Sequence, residues 1–430
     1  MTVSLESIPI ELTEHIVTFL NLRDIASLRL TNRSIESKAS QGHFTKFFTR
    51  KQVKLDTETL QNMLHVTRRG RLGCLLRHCI ISGITEPDTA SKSQIAGHKG
   101  LLAQAFDFLK QRSSRGSLDS LRLRVTIRTG RANGGAREAE TIPLGVAIWM
   151  AALNTFNITM AALSKSELLV YEQLDIYGTI SSCSLNYDAF LSLSQQISFL
   201  SIFYRLKKLM LSLSSPYDAS TEHTPTQETT AISLSQTAHV VYMPNLEALH
   251  MHWYSLRSDA PATSVQPAPG IDNAIVPAIA HLKECSVRGV YTTKGDLLRF
   301  IKAVNPSVLI MADVSLTSGT YTSIFDHLTN PETSITHYFL DDIREGTNLV
   351  HFDTEGTSKF PYKGIEMGHS WLTRDTTHFK EPIRYSITSR RPIRSGERKR
   401  WLKYKLQEFG PSENLVRDFI ELNGLDPDFP

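Results

Sequence analysis

A chain of 430 residues with 41% hydrophobic and 21% charged side chains has room for two or three domains and the composition of an ordinary globular protein. A formal net charge of +4 is too small to single out a nucleic-acid binder, and four cysteines (Cys74, Cys79, Cys183 and Cys285) are too few for a disulfide scaffold. Reduced thiols in the cytoplasm or the nucleus are expected, with no secretory leader and no membrane partner.

Three short helices are predicted within residues 1–48. Pro9 has no backbone donor to lose and suits the first turn of a helix. Leu12, Ile16 and Leu20 then recur every four residues as one apolar stripe. Residues 21–23 break the pattern, and Asp24 can cap a second helix whose apolar face is Ile25 and Leu28. Thr31 or Asn32 can cap a third, with Ile35, Ala39 and Phe47 as its inner side. Helices this short bury too little surface to stand alone, so a partner or a neighbouring domain is expected against them.

The ordered combination of Ile8-Pro9, the Leu12–Ile16–Leu20 stripe, Asp24-Ile25, Leu28 and Leu30, and Asn32-Arg33 resembles an F-box. F-boxes are the adaptor-docking helices of ubiquitin-ligase substrate receptors. The resemblance implies a Skp-type adaptor as partner, a cullin scaffold behind it, and adaptor contacts from Ile8, Pro9, Leu12, Ile16 and Leu28. Ile35 stands in the neighbourhood where many F-boxes carry tryptophan. The alternative for the same helices is a subdomain that packs only on its own protein.

Residues 49–385 alternate between strand-like and helix-like segments, which points to an α/β domain with a parallel sheet and crossover helices. The strand candidates are residues 75–81, 118–123, 174–177, 206–211, 246–251, 282–287, 308–310 and 337–340. Several read Leu-x-x-Leu-x-apolar, a leucine at the turn followed by alternate side chains on one face. Helical spacing marks residues 101–109, the series Phe190, Leu193, Ile197, Leu200 and Tyr204, and the trio Leu297, Leu298 and Ile301. Residues 141–164 carry no charge and are long enough to cross a bilayer, yet Pro143, Gly145, Asn154 and Asn157 make a buried helix the better reading.

This second region resembles a degenerate leucine-rich-repeat array, and the whole layout resembles the F-box proteins of filamentous fungi. The expected fold is therefore α/β: a three-helix F-box followed by an irregular solenoid of strands and helices. Unit spacings wider than the usual ~20–29 residues imply long insertions. Residues 214–237, crowded with Ser and Thr, and residues 255–272, with Pro261, Pro267 and Pro269, are expected to be mobile loops. An open α/β domain without true repeats is the alternative.

Residues that could carry chemistry form no constellation. The glycine-rich stretch 129–137 lacks the spacing of a nucleotide loop, and Gly368-His369-Ser370 has Leu372 where a nucleophile elbow needs glycine. Cys74 and Cys79 are wrongly spaced for zinc with His65 and His78, and His250 and His252 lack a third ligand. No catalytic residue, metal or cofactor is expected, and the region reads as a surface for an unidentified protein target. In residues 386–430, a basic tail or capping helix, Arg390, Arg391, Arg394, Arg398, Lys399, Arg400, Lys403 and Lys405 surround Trp401 and Tyr404. Such a run suits a solvated helix face, a nuclear-import signal or, less well, nucleic acid.

Overall fold

The structure, a computed structural model, describes residues 5–85, 92–127, 144–180, 183–194, 197–214, 243–254, 282–353, 369–375, 378–388 and 405–409. The two expected loops beyond Ser214, the glycine-rich stretch at 129–137 and most of the basic run lie outside the described residues.

Four short helices open the chain: α1 (Ile10–Thr18), α2 (Leu22–Arg29), α3 (Arg33–Ala39) and α4 (Gly42–Lys46). Pro9 is the residue before α1, and its carbonyl accepts the Thr13 N–H. The cap of α2 is Asn21, not Asp24: the Asn21 side chain accepts the Asp24 N–H at 3.0 Å, so α2 begins three residues earlier than expected. Asn32 caps α3 by accepting from Ser34 N, as its sequence position allows. Val17, Ile25, Ile35, Ala39 and Phe44 make a small core of their own. Phe44 takes the inner place expected of Phe47, because α4 turns Phe44 inward and leaves Phe47 exposed. The Arg29 guanidinium lies 4.2 Å from the Phe44 ring centroid and closes that core.

Thr49 leads directly into the large sheet. Its strands are β1 (Arg50–Lys54), β2 (His78–Thr85), β3 (Ser117–Ile127), β4 (Leu169–Ile176), β5 (Leu185–Asn186), β6 (Lys208–Ser214), β7 (Ala248–Trp253) and β8 (Glu284–Arg288). Beyond β8 come β9 (Tyr291–Thr293), β10 (Val308–Ala312), β11 (Ser315–Ser318), β12 (His337–Asp341), β13 (Arg344–Glu345), β14 (Asn348–Phe352), β15 (Trp371–Arg374) and β16 (Tyr385–Thr388). The large sheet runs β1-β2-β3-β4-β6-β7-β8-β10-β12-β15, with β5 beside β6, so strand order follows chain order. Every pairing in it is parallel except the last, where β15 runs against β12.

Helices α5 (Thr57–Arg69), α6 (Lys92–Arg112), α7 (Leu144–Ser166), α8 (Tyr187–Ser194), α9 (Ile197–Phe203), α10 (Lys294–Val304) and α11 (Thr322–Thr329) connect the strands. The single helical run expected from Phe190 to Tyr204 is two helices, each packing its own phenylalanine, with Phe190 and Phe199 edge to face. β2 starts at His78 and not at Leu75, because Arg71–Leu75 forms a tight 3-10 turn. Gly73 permits that turn: a Cβ there would lie 2.4 Å from the Val66 carbonyl oxygen.

The aligned registers set equivalent residues in rows. One row runs Cys79, Leu121, Leu174, Leu209, Leu249, Cys285, Leu309, Tyr338, and the next row on the same face runs from Val53 and Ile81 to Met311 and Leu340. All are buried, and they share one core with Leu60, Phe106, Phe156, Phe203, Phe300 and Phe325 from the helices. Helix α7, apolar and long enough on composition to span a membrane, is half buried in the structure and packs on β2, β3 and α6.

Three successive units share a corner. After β8, β10 and β12 the chain turns through Gly289 (φ 71), Asp313 (φ 52) and Asp342 (φ 51), then enters β9, β11 and β13 of a second sheet. Asp is among the few L residues that tolerate this left-handed region. The corners are stitched together: Gly289 N donates to Ala312 O, Asp313 N to Asp341 O and Asp342 N to Ser370 O, each at 2.9 Å. The second sheet is completed by β14 and β16, which run antiparallel.

Candidate docking surfaces

Two surfaces carry the residues that could hold a protein. The first is the outside of α1. Thr13 and Val17 point into the small core, and Leu20 packs against it. Leu12 and Ile16 lie on the neighbouring stripe and are 55% and 42% exposed. The helix is thus apolar on two adjoining faces, and among the described residues only one of them is covered.

The sequence-selected residues do not all meet. Leu12 and Ile16 share one stripe, with Pro9 exposed at its start. Ile8 is half-buried, and its carbonyl accepts the Lys38 ammonium at 2.8 Å. Leu28 is half-buried against the small core. Two residues outside the expected adaptor contacts are more prominent: Phe19, 76% exposed and unused in the sequence reading, and Leu30, 88% exposed, which belonged to the F-box pattern but not to those contacts. Phe19 stands three residues after Ile16 and so extends the outward stripe, a signal that was present in the spacing. Leu30 caps the end of α2, where no periodic rule applies.

The second surface is the face of the large sheet away from the main core. Its central row reads Gln52, Ile80, Arg122, Asp175, Met210, His250, Ser286, Ile310, Phe339. It mixes charged, polar and apolar side chains, unlike the rows behind it, which are apolar from β2 to β12. Arg122 Nε holds Asp175 Oδ2 at 3.0 Å, and Thr179 Oγ1 donates to the same oxygen at 2.6 Å. Burial pushes the Asp175 carboxyl up, while Thr179 and Arg122 oppose that shift. His250 pairs with Glu284 at 3.0 Å across the strands. His252, on the same face, is pushed down to about 4, chiefly by burial and further by Arg288.

The residues weighed for chemistry hold structural posts. Cys79 and Cys285 belong to the inner row, and burial pushes both thiols, with Cys183, up to about 12. His369 and Ser370 are buried at the end of the sheet, where their carbonyls accept from Phe352 N and Asp342 N. No group of His, Cys, Asp and Glu among the described residues has the arrangement of a metal site. No family model matches the chain, and no curated protein is significantly similar to it.

Proposed function

We propose that the chain is a substrate receptor of a Skp–cullin–F-box ubiquitin ligase, non-catalytic and working in the cytoplasm or the nucleus. The N-terminal helices are the F-box, and the large sheet with its helices is an irregular leucine-rich-repeat solenoid. A receptor of this kind makes no bond itself. It contributes proximity, holding a target beside the ubiquitin-charged enzyme.

The observation that carries the reading is the exposed Leu12–Ile16–Phe19 stripe on a module whose inward residues already have a separate core. Such a face is what a docking helix presents before its partner arrives. Two features support the solenoid. Strand order equals chain order throughout the main path. The strands from Glu284, Val308 and His337 recur at spacings within the ~20–29 residues of such repeats, each followed by a matching corner.

Co-purification with the Skp-type adaptor tests the proposal. The intact chain should retain the adaptor, and L12D together with I16D should abolish retention while the thermal melt stays within about 0.5 kcal/mol of wild type, as for other exposed positions. Retention unchanged by the pair would sink the idea. The second reading, a repeat scaffold outside any ligase, is favoured by Leu72, which reaches the small core from beyond the module. On that reading the same pair leaves every partner unaffected.

A further inference from the structure

The outer face of the first three strands is basic, and little among the described residues neutralises it. Arg50 and Lys54 point outward from β1, Ile80 and Ser82 from β2, and Arg122 and Arg124 from β3. No outward position from Arg50 to Lys54, from His78 to Ile84 or from Ser120 to Thr126 is acidic. Arg122 turns to Asp175 of β4 at 3.0 Å. Asp56, the acid that follows β1, gives its oxygens to Thr59 at the start of α5. Among the described residues no carboxylate pairs with Arg50, Lys54 or Arg124.

The registers give this charge a shape. Lys54, Ser82 and Arg124 lie in one row, so a short buried serine is flanked by two long cationic side chains. Their Cα atoms are two strand spacings apart, roughly 9.5 Å, and the row forms a notch. Gln52 Nε2 donates to Ser82 Oγ at 2.8 Å along one wall. Cations on an edge strand guard it against further pairing, and that accounts for β1. It does not account for Arg124, two strands in. The Arg124 Nε is shut off from water and has no hydrogen-bond partner, a state that costs free energy until an acceptor arrives. Half-buried Ile80 stands one row before the notch, and Arg50 two rows before it, about 13 Å along the strands.

We infer that this groove is a docking site for an extended acidic segment of a partner protein, with carboxylates at i and i+4 and an apolar side chain at i+2. One carboxylate enters the notch between Lys54 and Arg124 and accepts from the Arg124 guanidinium. The apolar side chain lies on Ile80, and the second carboxylate meets Arg50. Alternate residues of an extended chain project to one side at intervals of about 6.6 Å, the same rise that separates the rows of the sheet. The cations are strung along the strands and not gathered at one point, which favours a series of carboxylates over a single doubly charged phosphoryl group. No Phe, Tyr or Trp stands at these outward positions to stack a base, so nucleic acid is the poorer match. That the segment belongs to a degradation target rests on the receptor reading; the binding itself does not.

The test is fluorescence anisotropy with the full-length chain and a labelled synthetic peptide carrying Glu, Ile and Glu at alternate positions. Wild type should bind it, and more weakly as salt rises. K54Q with R124Q should weaken binding about tenfold or more. K165Q with K302Q, an equal loss of charge at exposed helical positions, should leave it unchanged. Gln in place of both peptide Glu residues should abolish it. No binding by wild type, or equal weakening by the two double variants, overturns the inference. So does tighter binding of a phosphoserine peptide without Glu, or of single-stranded DNA. Should R124Q melt without cooperativity, K54Q alone makes the comparison, since Lys54 is exposed, and unchanged binding by K54Q then overturns the inference. Adaptor retention takes no part in the readout, so this result and the receptor test can fail separately.

Discussion

Leu12 and Val17 sit on the same nine-residue helix and meet opposite fates, one in solvent and one in a core. Spacing alone groups Leu12, Ile16 and Leu20 as one stripe, but α1 ends at Thr18, and Leu20, beyond the cap at Phe19, folds back onto the small core while the other two stay outside. Exposure was therefore not legible at Leu12 and Ile16, although their helical state was. Lys405 was hidden for a different reason. In a basic run it reads as solvated, and the Asp313 and Asp342 carboxylates, far from it in sequence, show why it is buried. His252 carries a prediction at this scale. Burial holds its imidazole at about 4 in the folded chain, against ~6.5 in an unfolded one. The unfolded state takes up the proton first, so this contribution to stability is complete above about pH 6.5 and is lost as the pH falls toward 4. Urea midpoints measured across that window should fall less steeply in H252Q than in wild type. A residual slope from His250 and His327, also pushed down mainly by burial, should remain. Identical slopes in the two proteins would contradict the assignment.

The central strands of the large sheet were the most legible elements, because leucine parity marks the buried rows directly, whereas the second sheet of β9, β11, β13, β14 and β16 was not anticipated. β1 escaped notice since four of its five residues are exposed and three of them are Arg or Lys, a composition that protects a sheet edge from further pairing. Helix limits failed where side chains chose between two caps: Asn21 won over Asp24 because its oxygen already reached the Asp24 N–H. Packing between elements can be tested at Gly83 of β2, where α7 lies against the sheet. A Cβ at Gly83 would lie 1.9 Å from Thr155 Oγ1 and 3.2 Å from the Ala151 carbonyl oxygen. G83A should cost about 1–3 kcal/mol by chemical denaturation, as other overpacked sites do. T155A in the same chain should recover part of the loss, because the two changes share one contact. Strict additivity of the pair would show that α7 moves as a body instead.

At the scale of the whole molecule, the alternation of strands and helices was legible and so was the parallel sheet. The wide unit spacings obscured the regularity of the last three units, whose corners become comparable only once their backbone angles are seen. The described residues form two cores of very unequal size, five buried residues in the helical module and the continuous core behind the sheet. Their stabilities should differ accordingly. Native-state hydrogen exchange is expected to open α1 to α4 at lower free energy than β3, β4 and β6, with the module exchanging as its own unit. Common protection of both regions would mean that they unfold together.

The reversed strand β15 has a consequence for how such a chain can grow. A further parallel unit needs a parallel strand to dock on, and β12 offers that edge to an antiparallel one. Among the described residues the parallel array ends at β12, with β15 laid against it in the opposite sense. Duplication of a unit can lengthen it only from within, between strands that all run the same way. Every insertion there would carry β15, and the acidic corners beside it, outward together as a fixed terminus.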